Sequence, residues 1–218
     1  MAITQGAQAS PTETCGQAAA RAAHDTGVPV EVLMAVSLTE TGRRTDGQLH
    51  AWPWALNVAG EGFWLPTREA ALAKIRTLRA ADQRNFDVGC FQINYRWHGQ
   101  AFTSFEEMID PEINARYAAD FLARLYAESG DWSRAAGSYH SMTPELAARY
   151  RQTFDRHYAA LSEPGTPLPG LVIRQHRENR FPLLQGGAGN ARPGSLFPKT
   201  SSRTPLLRAA PAPFWSGT

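Results

Sequence analysis

Apolar residues recur with helical spacing along residues 13–161 of this 218-residue chain. The first part of this pattern predicts a helix over residues 15–24, with Gly27 as its stop signal, and a second helix over residues 30–40 that Gly42 closes. The second helix, VEVLMAVSLTE, is apolar nearly all round. Such a helix is typical of the middle of a domain, where every face is covered by other elements.

The pattern changes after this helix, where large aromatic residues alternate with Gly and Pro. Short strands are predicted over residues 54–58 and 62–65, joined by a Gly-containing turn. Thr67 then caps a helix that runs to about Ala81, with leucine and isoleucine on one face. A further short strand is predicted near residues 86–93. The segment therefore indicates a small sheet inserted between helices.

Helical spacing returns in the second half of the pattern. Asp110–Pro111 opens a helix that runs to about Glu128, Asp131 caps a shorter one that ends near Tyr139, and Thr143–Pro144 opens the last one. The spacing predicts a buried stripe on each of the two long helices. The predicted stripes consist of Ile113, Tyr117, Phe121, Leu122 and Leu125 on the first and of Leu146, Tyr150, Phe154, Tyr158 and Leu161 on the last.

These elements predict a mainly α fold of the α+β type, with a small β-hairpin or sheet insertion near residues 52–93. The predicted domain spans residues 13–162, after a flexible leader over residues 1–12. From residue 163 the periodicity stops, and residues 163–218 hold nine of the 15 prolines. Prolines interrupt regular structure and the segment has few large apolar residues to bury, so we expect a disordered Pro/Arg-rich tail.

Composition is typical of a globular domain, with 43% hydrophobic and 19% charged residues. The formal net charge of +2 divides unevenly, since residues 163–218 carry +5 and the remaining residues −3. No apolar stretch is as long as a membrane-spanning helix, and no signal peptide is visible in the first residues. For an exported protein, we therefore expect that the sequence shows the mature form.

The two cysteines, Cys15 and Cys90, have neither the spacing of a zinc site nor a CxxC motif. Two buried free thiols or one disulfide bond are both open interpretations. The six histidines are scattered, without an HExxH motif, and phosphate-binding glycine motifs are missing from the sequence. We therefore expect no metal site, no cofactor and no nucleic-acid partner.

Three separated segments combine residues of chemical interest. They are Thr39-Glu40-Thr41-Gly42 at the end of the apolar helix, Gly89-Cys90-Phe91-Gln92-Ile93-Asn94, and Ala136-Gly137-Ser138-Tyr139-His140-Ser141. In this order they resemble the motifs of the family 1 lytic transglycosylases, which run Glu-Ser-Gly, Gly-Leu-Met-Gln and Ala-Tyr-Asn-Ala-Gly. Each motif departs from that pattern: a Thr stands for Ser in the first, Cys-Phe for Leu-Met in the second, and His-Ser for Asn-Ala in the third. The resemblance covers residues 15–161 and leaves out the tail.

The resemblance implies a goose-lysozyme-like fold and an enzyme that cuts the glycan strands of peptidoglycan with Glu40 as its single catalytic carboxylic acid. It implies that substrate contacts come from the other motif positions, with Tyr139 bonded to the Glu40 carboxyl and Phe91 as a platform for a sugar ring. These positions are Thr41, Phe91, Gln92, Asn94, Tyr139 and His140. It also implies a periplasmic location, where a Cys15–Cys90 disulfide is the natural pairing.

The position of Glu40 supports an acid role without the family. A carboxyl at the C-terminal end of an apolar helix meets the negative end of the helix dipole and partial burial, and both effects raise its pKa. A protonated carboxyl near neutral pH is what a general acid requires. A second carboxylate would be expected in an ordinary glycosidase. The candidates are Asp46, Glu61, Asp82 and Asp87; only Asp87 is expected near the cleft, and a strand-edge role is the favoured interpretation for it.

Two alternatives remain open at the level of sequence. One is a hydrolytic lysozyme on the same fold, and the other is a non-catalytic peptidoglycan-binding adaptor. The dense aromatics Trp52, Trp54, Phe63, Trp64 and Trp97 suit either sugar stacking or simple core packing. The tail residues Phe181, Phe197, Phe214 and Trp215, spaced among arginines, suit docking on a protein partner or a solvated linker. Small enzymes of this kind open the wall locally for envelope machines, which is an expectation by analogy.

Overall fold

The structure is a computed structural model that describes residues 10–45 and 47–171. In this part of the chain eight α-helices surround a small antiparallel sheet, which confirms the predicted fold class. The helices are α1 (Pro11–Thr26), α2 (Val30–Thr41), α3 (Arg68–Ala80), α4 (Tyr95–His98), α5 (Phe105–Met108), α6 (Pro111–Ser129), α7 (Trp132–His140) and α8 (Pro144–Ser162). The strands are β1 (Arg43–Thr45), β2 (Gln48–His50), β3 (Ala55–Val58), β4 (Glu61–Trp64), β5 (Phe86–Val88) and β6 (Ile93–Asn94).

Local signals set several helix ends where the sequence predicts them, although α1 begins at Pro11, inside the predicted leader and before the predicted start at residue 15. Gly27 ends α1 with a φ of 77°, a left-handed conformation that glycine adopts without steric cost. The Thr67 side chain accepts a hydrogen bond from Ala70 N at the start of α3, and the Asp110 side chain caps α6 in the same way. These contacts join residues two or three positions apart, so the sequence alone is enough to predict them.

The apolar helix α2 lies in the core, as predicted. Most of its residues are buried, and α1, α6 and α8 all pack against it. Burial on every side explains why α2 has no polar face. Its C-terminal end, which carries Glu40, leaves the core where the sheet begins.

The sheet brings separated polar residues side by side. Its strand order is β4-β3-β5-β6, and a separate hairpin of β1 and β2, which the sequence did not predict, precedes it. In this register Asp87 on β5 is opposite Asn57 on β3 and opposite Asn94 on β6. Cross-strand partners have neighbouring Cβ atoms, so three polar side chains meet on adjacent strands.

Two of the predicted buried stripes need correction. Ile113 on α6 is 39% exposed and Leu146 on α8 is 45% exposed. The buried face of α6 consists mainly of small residues, because α6 packs closely against the Ala-rich helix α1. As a result, the aromatic residues Tyr117 and Phe121 are only half-buried and lie at the side of this contact.

Residues 163–171, which the sequence assigns to the tail, lie beside α1 without regular structure. Leu168 and Leu171 pack on the core, and the backbone at Pro169 and Gly170 approaches Gly16 too closely for any side chain at that position. The remainder of the predicted tail and the first nine residues of the leader lie outside the described residues. The domain boundary at residue 162 stays a prediction.

None of the described helices is long and apolar enough to cross a membrane.

The two cysteines form one disulfide bond, which resolves the alternatives that the sequence left open. Cys15 on α1 and Cys90, just after β5, are both fully buried, and their Cα atoms are 5.7 Å apart. This separation is normal for a disulfide bond. The bond joins the first helix to the segment that carries the second motif.

Removing this bond should lower stability by about 2–4 kcal/mol, since it closes a loop between residues 75 positions apart. The variant is the Cys15→Ala, Cys90→Ala double substitution, and the measurement is denaturant unfolding followed by circular dichroism. Wild-type protein with its thiols reduced and alkylated serves as a second form without the bond. A double variant that unfolds at the wild-type denaturant concentration would show that the bond adds nothing to stability.

Candidate active site

Glu40, in the last turn of α2, is half-buried on the wall of a cavity of about 360 Å³. The cavity lies between the sheet, the end of α2 and the helices α4, α6 and α7. Polar and aromatic side chains from these elements form its walls. The lining residues are Glu40, Asn57, Asp87, Gln92, Ile93, Asn94, Trp97, His98, Phe121, Tyr139 and His140.

The surroundings of Glu40 favour its protonated form. The pKa of this carboxyl is raised to about 8, chiefly by burial; the hydroxyl of Tyr150 lowers it and the negative charge of Asp87 raises it. Burial is the largest cause because a carboxylate that loses part of its hydration is disfavoured in its charged form. At neutral pH Glu40 therefore carries a proton that it can transfer to a bound molecule.

Asp87 is the second carboxyl group in the cavity. Asn94 Nδ2 donates to Asp87 Oδ1 at 2.8 Å, and Oδ2 accepts no hydrogen bond from the described residues. Burial raises the pKa of Asp87, while the bond from Asn94 lowers it. Of the carboxyl groups that the sequence offered as second candidates, Glu61 and Asp82 are exposed, and Asp46 lies outside the described residues.

Two tyrosines approach Glu40 from different helices. The Tyr139 hydroxyl on α7 donates to the Phe91 carbonyl oxygen at 2.6 Å, so the predicted hydrogen bond from Tyr139 to Glu40 is wrong. The single proton of the Tyr139 hydroxyl already forms a hydrogen bond with the backbone of the second motif. Tyr150 on α8 lies next to Glu40 instead, because α8 packs along α2.

The Tyr150 hydroxyl is buried and has no hydrogen-bond partner of normal geometry among the described residues. It nevertheless lies close enough to Glu40 to lower the pKa of the carboxyl. A hydroxyl without another acceptor is free to donate to Glu40 when the carboxyl becomes ionised. The sequence pattern placed Tyr150 in the core stripe of α8 and so hid this second role.

Asn114, whose role the sequence did not predict, holds the second motif in place. This fully buried residue of α6 accepts from Phe91 N at 3.0 Å and donates to the carbonyl oxygens of Val88 and Met108 at 3.1 and 3.0 Å. Gly89, with a φ of 82°, leaves the space that the Asn114 side chain fills. The only sequence signal is a polar residue at a buried position of α6.

Thr41 and Phe91 do not reach the cavity, which corrects their predicted contacts with substrate. Thr41 is 1% exposed, and its hydroxyl lies 3.1 Å from Ser37 O and 3.2 Å from Cys90 O. The same hydroxyl accepts from Trp52 N. Phe91 is fully buried in the core, so it offers no face to a sugar ring. Both side chains join elements to one another beneath the cavity.

The other predicted contacts do line the cavity, but with altered geometry. Gln92 lies in a turn with a φ of 47°, so it does not share a strand face with Asn94 as predicted. Its Nε2 donates to Gly89 O and Ala55 O, which leaves its Oε1 for a ligand. The Asn94 amide already binds Asp87 and the backbone of Arg96, so it orients Asp87.

The aromatic residues divide into core and rim. Trp54 and Phe63 pack against the core, and the Trp52 indole donates to Leu65 O. Trp97 is 71% exposed at the rim of the cavity, and Trp64 is 46% exposed with its indole directed at Thr41 O. Two of the five therefore offer faces to a bound molecule.

Among the described residues no group of three or more His, Cys, Asp or Glu could hold a metal ion.

One comparison with known families matches the second half of this domain. Residues 74–161 match the family model described as Transglycosylase SLT domain. The match spans less than half of the chain; it includes the second and third motifs and leaves Glu40 outside. No curated protein and no solved structure matches the chain. Over residues 74–161 the chain is therefore similar to a transglycosylase SLT domain, and the helical fold around a small sheet is consistent with the lysozyme-like fold of such domains.

Proposed function

We propose that the protein is a peptidoglycan lytic transglycosylase that cleaves the β-1,4 bond between N-acetylmuramic acid and N-acetylglucosamine. One observation carries this proposal: a carboxyl group with a pKa of about 8 on the wall of a cavity lined by polar and aromatic groups. Because the group is protonated at neutral pH, it can act as a general acid. The domain match supports an action on peptidoglycan in general.

In the proposed reaction Glu40 acts twice. Its proton passes to the glycosidic oxygen as the bond from that oxygen to C1 of the muramic acid breaks, and the acetamido oxygen of the same sugar bonds to C1. The Glu40 carboxylate then takes the proton of the C6 hydroxyl, whose oxygen displaces the acetamido oxygen from C1. The product is a 1,6-anhydro ring, and Glu40 is protonated again. No cofactor is needed for these steps.

Tyr150 and Asp87 suit this cycle in opposite ways. The Tyr150 hydroxyl can donate to Glu40 in its ionised state, which exists only between the two steps. Asp87 disfavours that ionised state and so keeps the proton on Glu40 before the first step. Asp87 therefore favours the protonated form of Glu40 that acts as the acid, and Tyr150 favours the ionised form that acts as the base.

Asp87 also favours a second candidate, a hydrolytic lysozyme. A carboxylate in the same cavity as the acid can activate a water molecule for attack at C1, and its Oδ2 has no partner among the described residues. The two candidates differ in their products, since hydrolysis leaves reducing ends and transglycosylation leaves anhydro ends.

The decisive experiment is digestion of purified sacculi followed by mass spectrometry of the soluble fragments. We expect muropeptides with 1,6-anhydro-muramic acid, which are lighter by one water than the hydrolysis products. Fragments with reducing ends only would establish the lysozyme, and an absence of soluble fragments would leave the non-catalytic adaptor.

Asp87→Asn should move the alkaline limb of the pH profile of kcat/KM to lower pH. The negative charge of Asp87 raises the pKa of Glu40, so its removal lets Glu40 lose its proton at a lower pH. The matched control is Asp82→Asn, because the Asp82 side chain is 85% exposed in a turn. This substitution should leave the pH profile unchanged. If both variants keep the wild-type alkaline limb, Asp87 exerts no field on Glu40. A loss of reducing-end products with Asp87→Asn would instead assign it the hydrolytic role.

An action on peptidoglycan places the proposed enzyme outside the cytoplasm, and the Cys15–Cys90 disulfide suits the oxidising periplasm. Local wall opening for an envelope machine is the process we propose for it. A docking role of the basic tail with its aromatic residues remains a proposal, and that segment lies outside the described residues.

A further inference from the structure

Two arginines lie beside the cavity, each next to an aromatic ring of its wall. The guanidinium of Arg96 on α4 lies 4.9 Å from the ring centre of Trp97, and that of Arg124 on α6 lies 5.5 Å from the ring centre of Phe121. Both rings line the cavity that contains Glu40. The two cations therefore lie next to the α4 and α6 walls of the cavity.

Neither guanidinium forms an ion pair or a side-chain hydrogen bond with any residue that the structure describes. Arg116, two turns before Arg124 on the same helix, shows the contrast, since it binds both Asp25 and Asp120. The acids nearest to Arg124 along α6 are Asp120, which Arg116 already binds, and Glu128, which forms no ion pair with it. The donors of Arg96 and Arg124 thus remain free for a ligand.

The charge of Arg124 extends over the cavity wall. Burial lowers the pKa of the His98 imidazole, and the charge of Arg124 lowers it further. Burial raises the pKa of the Tyr117 hydroxyl, which the same charge opposes. Because His98 is neutral at neutral pH, the two arginines supply the positive charge at this end, whereas Asp87 supplies negative charge deeper in the cavity.

We propose that Arg96 and Arg124 form a binding site for the free carboxylates of peptidoglycan stem peptides, so that the enzyme binds glycan strands more tightly when these carboxylates are ionised and unblocked. This inference rests on the proposed function. In a strand that carries peptides, the lactyl carboxyl groups of the muramic acid are amide-linked and the sugar backbone is neutral, so the free carboxylates lie on the peptides. The neutral sugars then lie over Glu40 and Asp87, and the anionic peptide lies beside the two arginines.

The arrangement suits short carboxylate groups better than a polyanion. Two cations stand at one end of a cavity that also contains acids, whereas a polyanion requires a continuous row of cations along its path. The cation–π contacts restrict the motion of the guanidiniums, which limits the side-chain entropy lost on binding.

The test measures binding of the Glu40→Gln protein to purified sacculi in two forms, unmodified and with the carboxyl groups converted to methylamides. We expect roughly tenfold tighter binding to the unmodified form at low salt, a preference that decreases as salt is added. In the same background, Arg96→Gln with Arg124→Gln should remove most of this preference. Arg134→Gln, at an exposed arginine of α7 away from the cavity, is the matched control and should retain it.

A double variant that keeps the wild-type preference overturns the inference, as does equal binding of the parent protein to both forms. Thermal unfolding of each variant checks that the exposed substitutions leave the fold intact. Wild-type digestion of the same sacculi is run in parallel, because it tests the proposed function separately. Absence of cleavage would contradict the proposed enzymatic function. The binding comparison would still show whether Arg96 and Arg124 bind carboxylates.

Discussion

Glu40→Gln is expected to lower the rate of glycan cleavage by about 10²–10⁴-fold, the usual cost of removing a general acid or base. Glutamine has the size of the protonated acid, so the cavity and its neighbours Tyr150 and Asp87 keep their places. What is lost is the proton that the glycosidic oxygen needs. The measurement is release of soluble muropeptides from sacculi over time, compared with wild-type protein.

The same substitution should stabilise the fold, increasingly so as the pH rises. The pKa of Glu40 is about 8 in the folded protein, above its ordinary value of 4.5. A raised pKa means that the contribution of this group to stability is complete below about pH 4.5 and is lost as the pH rises to about 8. Glutamine has no such loss, so the difference in melting temperature between variant and wild type should grow from pH 5 to pH 8.

Glu31→Gln, the same chemical change in the first turn of α2, is the matched control for both effects. It should leave the cleavage rate and the pH dependence of stability close to those of the wild type. Cleavage by Glu40→Gln at more than about a tenth of the wild-type rate would contradict the general-acid role. A melting difference that stays constant from pH 5 to pH 8 would contradict the raised pKa of Glu40.

Asn114→Ala is expected to have the largest effect on stability, a loss of roughly 3–5 kcal/mol in the free energy of unfolding. Alanine leaves the Phe91 N–H and the Val88 and Met108 carbonyl groups without their partner in a buried region. Each buried polar group without a partner costs about 1–3 kcal/mol. Urea unfolding followed by fluorescence measures the effect.

Ser37→Ala is the matched control for this substitution, since Ser37 is also buried and polar but its hydroxyl donates only to Met34 O, within its own helix. We expect a loss of about 1 kcal/mol or less. An Asn114→Ala variant that loses no more than this would show that the clamp on the second motif contributes little. Weaker cleavage is expected with Asn114→Ala as well, because the turn that presents Gln92 to the cavity is no longer tied to α6.

The sequence by itself determined the elements that depend on near neighbours. Helix ends at Gly27, Thr67 and Asp110 follow from contacts within a few residues, and the apolar character of α2 places it in the core. A raised pKa of Glu40 was expected from its place at the end of an apolar helix, whereas its proposed catalytic role rests on the resemblance of all three motifs to a known family. Pairing of the two cysteines was one of two open interpretations until their Cα atoms were seen to be close.

Only the tertiary structure decided which side chains face the cavity. Thr41 and Phe91 belong to the motifs, yet their side chains are buried in the core. Tyr150 was predicted as a core residue, yet it lies beside Glu40, from which more than 100 positions separate it in the chain. The face of a helix that becomes buried depends on the element packed against it. Because α6 packs its small residues against the Ala-rich helix α1, its aromatic face is directed toward the cavity. Periodicity describes each helix separately, and it contains no information on which distant element will cover it.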